Sequence, residues 1–265
     1  MTALRSQGMA VPAWSKPLIG LSGFLLLWQA VVLVGGISEE YLPGVPAVAQ
    51  ALWVQLTDRD FWTSEGLTLV RAVGGLLLAT LTGVGAALLG ARYRVIDRAL
   101  SPLVQVMLSL PPAALVPLAI FGLGLGAKLF AFIIWFAAVW NIYVNAQSAL
   151  AASEPVQLHV ARTLGYGGWD TLWRVRLPAA LPEIFTGIRV AAAGSLMATV
   201  AAEMLAGKDG LGFMLYDTAF ALRIPEMFAL LAVAGLNGVL VNALIVRLRR
   251  ALAGWHDKLA AMAQA

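Results

Sequence analysis

The chain of 265 residues is 60% hydrophobic and only 12% charged, whereas soluble domains carry about 25% charged residues. The formal net charge of +4 is modest, and in so apolar a chain it reflects basic loops rather than a nucleic-acid surface. The absence of cysteine excludes disulfides and thiolate metal sites. Composition therefore predicts an all-α membrane protein and excludes a soluble globular domain.

Six apolar runs approach the length of about 20 residues that a helix needs to cross a bilayer core. In chain order they cover residues 18–36, 67–90, 100–123, 129–150, 184–205 and 227–246. Pro111, Pro112 and Pro117 interrupt the third run, so a kinked or re-entrant segment is the alternative there. We predict one transmembrane domain over residues 18–250, between a cytoplasmic segment, 1–17, and a cytoplasmic tail, 251–265.

Two connections on the predicted outer side have structure of their own. After the first span, Val48, Leu52 and Leu56 recur at the spacing of one helical face. We predict a short helix there that lies on the outer membrane surface, with Trp53 and Trp62 near the lipid headgroups. The connection over residues 206–226 is glycine-rich and partly apolar, so we expect it to pack across the outer mouth of the bundle.

The second span carries a stripe of small residues. They recur every four positions at Gly75, Ala79, Gly83 and Ala87. Such a stripe lets two membrane helices approach closely. Two interpretations remain open, a packing seam in a bundle that moves and ordinary packing without special motion.

The residues that would indicate catalysis are missing. The two histidines, His159 and His256, are far apart in the sequence, and no metal-ligand cluster accompanies them. The stretch GLGLGAK at 122–128 lacks the spacing of a phosphate loop, and Leu129 follows its lysine in place of a serine or threonine. We therefore predict a non-catalytic chain that binds no cofactor and no metal.

Lysine and arginine set the predicted orientation. With a cytoplasmic N-terminus, twelve basic residues lie inside and five outside, which is the asymmetry that membrane insertion favours. Inside are Arg5, Lys16, Arg92, Arg94, Arg98, Arg162, Arg174, Arg176, Arg247, Arg249, Arg250 and Lys258; outside are Arg59, Arg71, Lys128, Lys208 and Arg223. Both termini and the long connection over residues 151–182 are then cytoplasmic.

The connection over residues 151–182 is basic and contains several helix breakers. Residues 161–164 are good helix formers, and Gly165 suits a C-terminal turn. A second short helix is predicted at 171–177, which Pro178 and Pro182 would end before the fifth span begins. From the residues alone, this segment is either a plain connector or a docking element anchored by Trp169, Trp173 and its arginines.

The same connection resembles the "EAA" loop of ATP-binding-cassette (ABC) importer permeases. That loop reads Glu-Ala-Ala, three residues, Gly, nine residues, Ile, one residue, Leu-Pro, and here the register falls on Ala161, Gly165, Val175, Leu177 and Pro178. His159 and Val160 depart from the usual Glu and Ala. Together with ARTLG, LPPAALVPLAIFGLGLG, LPAALPEIFTGIRVA and VAAEMLAGKDGLGFML, the loop is similar to the nitrate, sulfonate, taurine and bicarbonate branch of these permeases.

The resemblance implies a type I ABC importer permease fold and a set of partners. Two permease subunits, expected to be identical, would form the pathway in a bacterial inner membrane. Two cytoplasmic ATPase subunits would bind ATP and magnesium, and a solute-binding protein would deliver a small anion from outside. The ATPase-coupling residues implied are His159, Val160, Ala161, Arg162, Thr163, Leu164, Gly165, Trp169, Val175, Leu177 and Pro178.

Polar side chains within the spans are candidates to line a pathway, since they are costly in lipid. They are Asn141, Asn145, Arg71, Glu203, Asn237 and Asn242. Bonds between helices, including a pair between Arg71 and Glu203, are the alternative. The competing functions are an ATP-independent carrier or channel and a purely structural membrane scaffold.

Overall fold

The computed structural model describes residues 15–153 and 155–263, without the side chains of residue 17 and of residues 255–263. This part of the chain forms eleven α-helices and short 3₁₀ and π segments, with no strand. The predicted segment 1–17 therefore lies outside the described residues as far as residue 14, as do Arg5 and the side chains of His256 and Lys258. The helices are α1 (Ser15–Gly35), α2 (Val45–Thr57), α3 (Arg59–Arg92), α4 (Arg94–Ser109), α5 (Val116–Leu123), α6 (Ala127–Ala151), α7 (Pro155–Thr163), α8 (Gly168–Thr171), α9 (Leu177–Ala206), α10 (Leu211–Phe220) and α11 (Ile224–Ala263).

Five of the predicted spans are helices long and apolar enough to cross a membrane within the described residues. The third is not straight, because α4 and α5 meet at 93° around a 3₁₀ turn, Pro112–Leu115. A residue before proline is pushed out of the helical region, and Leu110 and Pro111 are both extended. This segment is therefore kinked, which was the alternative interpretation. α4 and α5 make a sixth span only if the two bent helices are counted together.

The centre of the bundle consists of α3, α6 and α9, which make the most extensive helix contacts. Ala79 and Ala87 are fully buried on α3, as the small-residue stripe predicts. A Cβ added at Gly75 would collide with Ile134, and one at Gly83 would lie 3.0 Å from the Val139 carbonyl oxygen. The stripe is therefore a close packing seam between α3 and α6, and motion along it remains a hypothesis.

One end of the bundle, which holds Arg71 and Glu203 and is here called the network end, carries the predicted accessory helix and the glycine-rich connection. α2 forms as predicted, with Val48 buried, Leu56 exposed and Trp53 70% exposed. The glycine-rich connection folds into α10, whose Leu211 and Leu215 are buried in one apolar cluster with residues of α3 and α11. The connection therefore packs on the bundle, and its place at the outer mouth stays a prediction.

The opposite end, here called the projection end, corrects one prediction. Pro178 and Pro182 do not separate a short helix from the fifth span, because α8 continues through a π segment, Leu172–Arg176, directly into α9. Pro178 follows directly on the π segment, whose i→i−5 hydrogen bonds already interrupt the regular α-helical pattern. Pro182 lies one turn later, where a packed membrane helix tolerates the loss of one backbone bond. A continuous helical run therefore extends over residues 168–206.

Candidate functional site

Residues 155–176 form a helical projection beyond the ends of the spans. Its first helix, α7, ends in a glycine turn in which the Gly165 amide donates to the Arg162 carbonyl and the Tyr166 amide to the Ala161 carbonyl, each at 3.0 Å. This pair of bonds is a Schellman motif. It needs a left-handed residue, and Gly165 has φ +76°. The predicted turn is confirmed in position and conformation.

The projection exposes an apolar and aromatic surface. Val160 is 54% exposed, Leu164 64%, Trp169 42% and Trp173 54%. Most of the other predicted coupling residues are also exposed or half-buried, and only Ala161 is buried. His159 keeps its Nδ1 2.7 Å from the Pro155 carbonyl oxygen of its own helix. The residues of the loop motif thus lie on the projection, except Leu177 and Pro178, which begin α9.

The base of the projection is fixed to the bundle. Leu172 is 1% exposed and packs in a cluster that includes Tyr143 and Leu150 of α6. The Trp169 ring meets Tyr93 edge-on, with centroids 6.5 Å apart. Arg176 donates to the Ala91 carbonyl at 3.4 Å. Because its base is buried and its surface exposed, the projection is a rigid extension of the bundle.

At the network end, Glu203 is the centre of a buried polar group. Its carboxylate is fully buried and accepts from Arg71 at 2.8 Å and from the Thr68 hydroxyl at 2.8 Å. Arg71 also donates to Asp209 Oδ1 at 2.5 Å and lies 4.2 Å from the centre of the Phe130 ring. Arg71 thus pairs with both carboxylates, and the fully buried charge on Glu203 has a cationic partner, which is how a buried charge becomes tolerable.

The backbone at the start of α10 completes this group. The Gly212 amide donates to Glu203 at 3.0 Å, and the Leu211 amide donates to the Thr68 hydroxyl at 2.8 Å. Gly210 has φ +96°, and a Cβ there would collide with the Glu203 carboxylate. The glycines of the sequence AGKDGLG therefore let the chain approach a buried acid. We call Thr68, Arg71, Glu203, Asp209 and these two amides the outer network.

The six pathway candidates do not form one site. Arg71 and Glu203 pair with each other, while the Asn145 amide donates to the Asn141 carbonyl of its own helix at 2.8 Å. Asn237 is 2% exposed. Asn242 lies apart and accepts from Arg189.

Two of the asparagines line cavities. Asn141 borders one of about 350 Å³ between the α4 bend, α6 and α9, together with Trp140 and Met197. Asn242 borders another of about 520 Å³ between α9 and α11, together with Arg189. Each asparagine by itself is compatible with lining a pathway, but the two do not border the same cavity.

Sequence analysis missed Thr68, Asp209 and the buried Glu65 as parts of the polar interior. Glu65 and Thr68 are three residues apart and Arg71 three further on, so helical spacing places them near one face of α3. The spacing of these three residues was enough to group them from the sequence. No such spacing identifies Asp209, because its contact with Arg71 depends on how the connection before α10 folds back.

A family model described as "Binding-protein-dependent transport system inner membrane component" matches residues 67–255. Nitrate import permease protein NrtB of Leptolyngbya laminosa is 32% identical over 189 residues, covering 71% of this chain and 68% of that protein. Taurine transport system permease protein TauC of Escherichia coli is 28% identical over 243 residues, covering 90% and 88%. Bicarbonate transport system permease protein CmpB of Synechocystis is 28% identical over 247 residues, covering 89% and 88%.

Two solved structures share the fold. A chain of the MetNI methionine ABC transporter in inward-facing conformations has TM-score 0.57 and 17% identity, covering 82% of this chain and 99% of that one. A chain of a bacterial alginate ABC transporter, solved with its alginate-bound periplasmic protein, has TM-score 0.62 and 14% identity, covering 91% and 96%. At such identities the likeness shows the fold alone, and it confirms the predicted all-α membrane architecture.

Proposed function

This chain belongs to the family of binding-protein-dependent transport system inner membrane components, and we propose that it forms the membrane pathway of an ATP-driven importer for a small anion. Membership confirms the predicted resemblance to ABC importer permeases and makes the chain a non-catalytic, multi-pass membrane subunit. The observation that carries the proposal is the rigid projection with its left-handed Gly165 at the position of the loop motif. The relatives named for nitrate, bicarbonate and taurine support the solute class.

The projection is the proposed contact with a cytoplasmic ATPase. Interface energy is concentrated in a few buried aromatic and arginine anchors, and Trp169 and Trp173 are available on this surface. The continuous helix over residues 168–206 joins the projection to Glu203. At a rise of 1.5 Å per residue, the helical run from Leu172 to Glu203 spans about 47 Å. Movement imposed on the projection is therefore carried by one rigid element to the outer network.

The remaining partners follow from the same proposal. Two ATPase subunits bind ATP and magnesium, and a second permease subunit, an identical copy, completes the pathway. A solute-binding protein docks at the network end and releases the anion. Asn141 is the pathway residue best supported, because it borders a cavity beside the α4 bend. Arg71 and Glu203 act instead by closing the network end.

The proposed orientation places the projection and both termini in the cytoplasm, in keeping with the excess of basic residues there. The chain has no cysteine, so a single introduced thiol reports its own side of the membrane. Gly167 and Lys208 are both exposed and lie at opposite ends of the bundle. In intact cells, Lys208→Cys should react with an impermeant thiol reagent and Gly167→Cys should not. The reverse pattern would overturn the orientation.

Coupling is tested by replacing Gly165 with valine. A β-branched residue is strongly disfavoured at φ +76°, so the turn should open and the projection should tilt. Gly167→Val is the matched control, because Gly167 is extended and a Cβ there meets only Asp170 Oδ2 at 3.8 Å. We expect Gly165→Val to insert normally but to lose co-purified ATPase and solute uptake, while Gly167→Val retains both.

The alternative functions make different predictions for this variant pair. An ATP-independent carrier would transport with either valine, and it would purify without an ATPase in every form. A scaffold would show no uptake at all. Full ATPase retention and normal transport by Gly165→Val would mean that the projection is a plain connector.

A further inference from the structure

Four arginines surround a cavity of about 420 Å³ behind the projection. Three of them lie at the ends of membrane helices, since Arg92 ends α3, Arg94 begins α4 and Arg176 precedes α9. The fourth, Arg162, lies on α7 of the projection. The cavity is lined by Ala91, Arg92, Arg94, Leu158, Arg162, Tyr166, Gly168, Thr171 and Arg176, which include no acidic residue.

Nothing in the described part of the chain neutralises these four charges. No carboxylate among the described residues lies within 4 Å of any of them. Two acids nearby, Asp170 and Asp97, have other partners. Asp170 pairs with Arg174 at 3.4 Å, and Asp97 accepts a hydrogen bond from Gln147 at 2.8 Å. The Nε atom of Arg176 is buried and has no hydrogen-bond partner among the described residues. A buried donor without a partner is costly, so an acceptor bound beside Arg176 Nε would remove that cost.

The position of the cavity relative to the membrane helices indicates which kind of anion would supply an acceptor. Arg92, Arg94 and Arg176 lie where the apolar helices end, and the edge-on pair of Tyr93 and Trp169 lies beside them. Aromatic and basic residues at helix ends characterise the headgroup layer of a bilayer. Guanidinium groups match phosphate oxygens in a two-point geometry, and basic pockets at helix ends bind acidic lipid headgroups.

We propose that Arg92, Arg94, Arg162 and Arg176 form a binding site for a phosphate group, carried by an anionic phospholipid or free in solution. One such group would connect α7 to the α3–α4 junction, because Arg162 lies on the projection and Arg92 and Arg94 lie on the bundle. The ligand would add a contact between α7 and the bundle to those that fix the base of the projection. This site depends on neither the proposed transport function nor the orientation of the chain, since both membrane leaflets offer phosphate groups.

The test uses the full chain in nanodiscs of phosphatidylcholine, with and without phosphatidylglycerol. Arg94→Gln and Arg162→Gln each remove one charge from the cavity. Arg98→Gln is the matched control, because Arg98 is also exposed on α4 but does not line the cavity. Thermal unfolding reports stabilisation by phosphatidylglycerol, and native mass spectrometry counts the lipid retained. A second arm titrates inorganic phosphate into phosphatidylcholine nanodiscs, against chloride at equal ionic strength.

We expect phosphatidylglycerol to raise the unfolding temperature of the wild type and of Arg98→Gln. At about 1 kcal/mol for each basic residue near the surface, each cavity variant should bind the lipid about fivefold more weakly. Stabilisation by inorganic phosphate with the same variant pattern would support the site and identify a free anion as its source.

Three results would overturn the proposal. The first is no response to either form of phosphate, and the second is an equal loss in Arg98→Gln, which would indicate only a diffuse surface field. In the third, lipid and phosphate binding are unchanged in both cavity variants while ATPase retention falls. The arginines would then serve carboxylates of a protein partner.

Discussion

The two ends of the bundle treat charge in opposite ways. At the network end, Arg71 is paired with two carboxylates, and the fully buried Glu203 accepts from three donors supplied by α3 and α10. At the projection end, Arg92, Arg94 and Arg162 have no acidic partner among the described residues. Charges that are paired within the chain stabilise the fold, whereas charges without a partner in the chain are available to a ligand or another molecule. Mutations at the network end should therefore lower the free energy of unfolding, whereas mutations at the projection end should weaken binding to a ligand or partner.

The largest effect on stability is expected for Glu203→Ala. Removing this carboxylate leaves Arg71, the Thr68 hydroxyl and the Gly212 amide without their acceptor. Breaking a buried pair in this way costs about 3–5 kcal/mol of unfolding free energy. Glu183→Ala, an exposed acid on the same helix, should cost less than about 0.5 kcal/mol. Denaturant unfolding in detergent measures both, and equal values would contradict a stabilising outer network.

Gly210→Ala should cause the second largest loss of unfolding free energy. Its φ of +96° adds backbone strain of about 1–2 kcal/mol, and the collision with the Glu203 carboxylate adds about 1–3 kcal/mol. Gly124→Ala separates the two causes, because Gly124 also has positive φ but a Cβ there meets nothing within 4 Å. The unfolding free energy should fall clearly further for Gly210→Ala. A similar loss in both variants would leave only backbone strain.

Arg71→Lys tests whether the geometry of the pairing matters as well as its charge. An ammonium group cannot donate from two fixed nitrogens to Glu203 and Asp209 as the guanidinium does. We expect a loss of about 1–2 kcal/mol in unfolding free energy. Arg223→Lys is the surface counterpart, since Arg223 also pairs with two carboxylates but is 46% exposed. It should lose less than about 0.5 kcal/mol, and an equal loss would remove the distinction between buried and exposed pairing.

The smallest effect on stability is expected for Trp173→Ala at the projection end. The side chain is 54% exposed, so the unfolding free energy should change by less than about 0.5 kcal/mol. Its proposed contact with the ATPase should weaken by about 2 kcal/mol or more, as for an aromatic anchor. Trp53→Ala removes a tryptophan at the network end that is 70% exposed, and this variant should retain the ATPase. Co-purification of the ATPase with each variant decides between them.

Much of the architecture could be predicted because it depends on local pattern. The spans follow from apolar length, α2 from the spacing of Val48, Leu52 and Leu56, and the turn after α7 from Gly165. The predicted break between the short helix of the projection and the fifth span was wrong for a physical reason. Pro178 can end a helix or begin one, and only packing against the bundle, with Leu172 buried, decides that the chain continues into α9.

The residues alone determined which parts of the chain are apolar enough to enter a membrane and which small residues form the seam on α3. Each of these depends on composition or on a periodicity within one segment, whereas the loop motif was located by its resemblance to a known family. Tertiary structure decided which charges meet. The partners Arg71 and Glu203 are 132 positions apart, and Asp209 joins them only because the connection before α10 folds back. The arginine cavity likewise exists only because α7 folds beside the α3–α4 junction. Electrostatic contacts act through space, so spacing along the chain does not encode them.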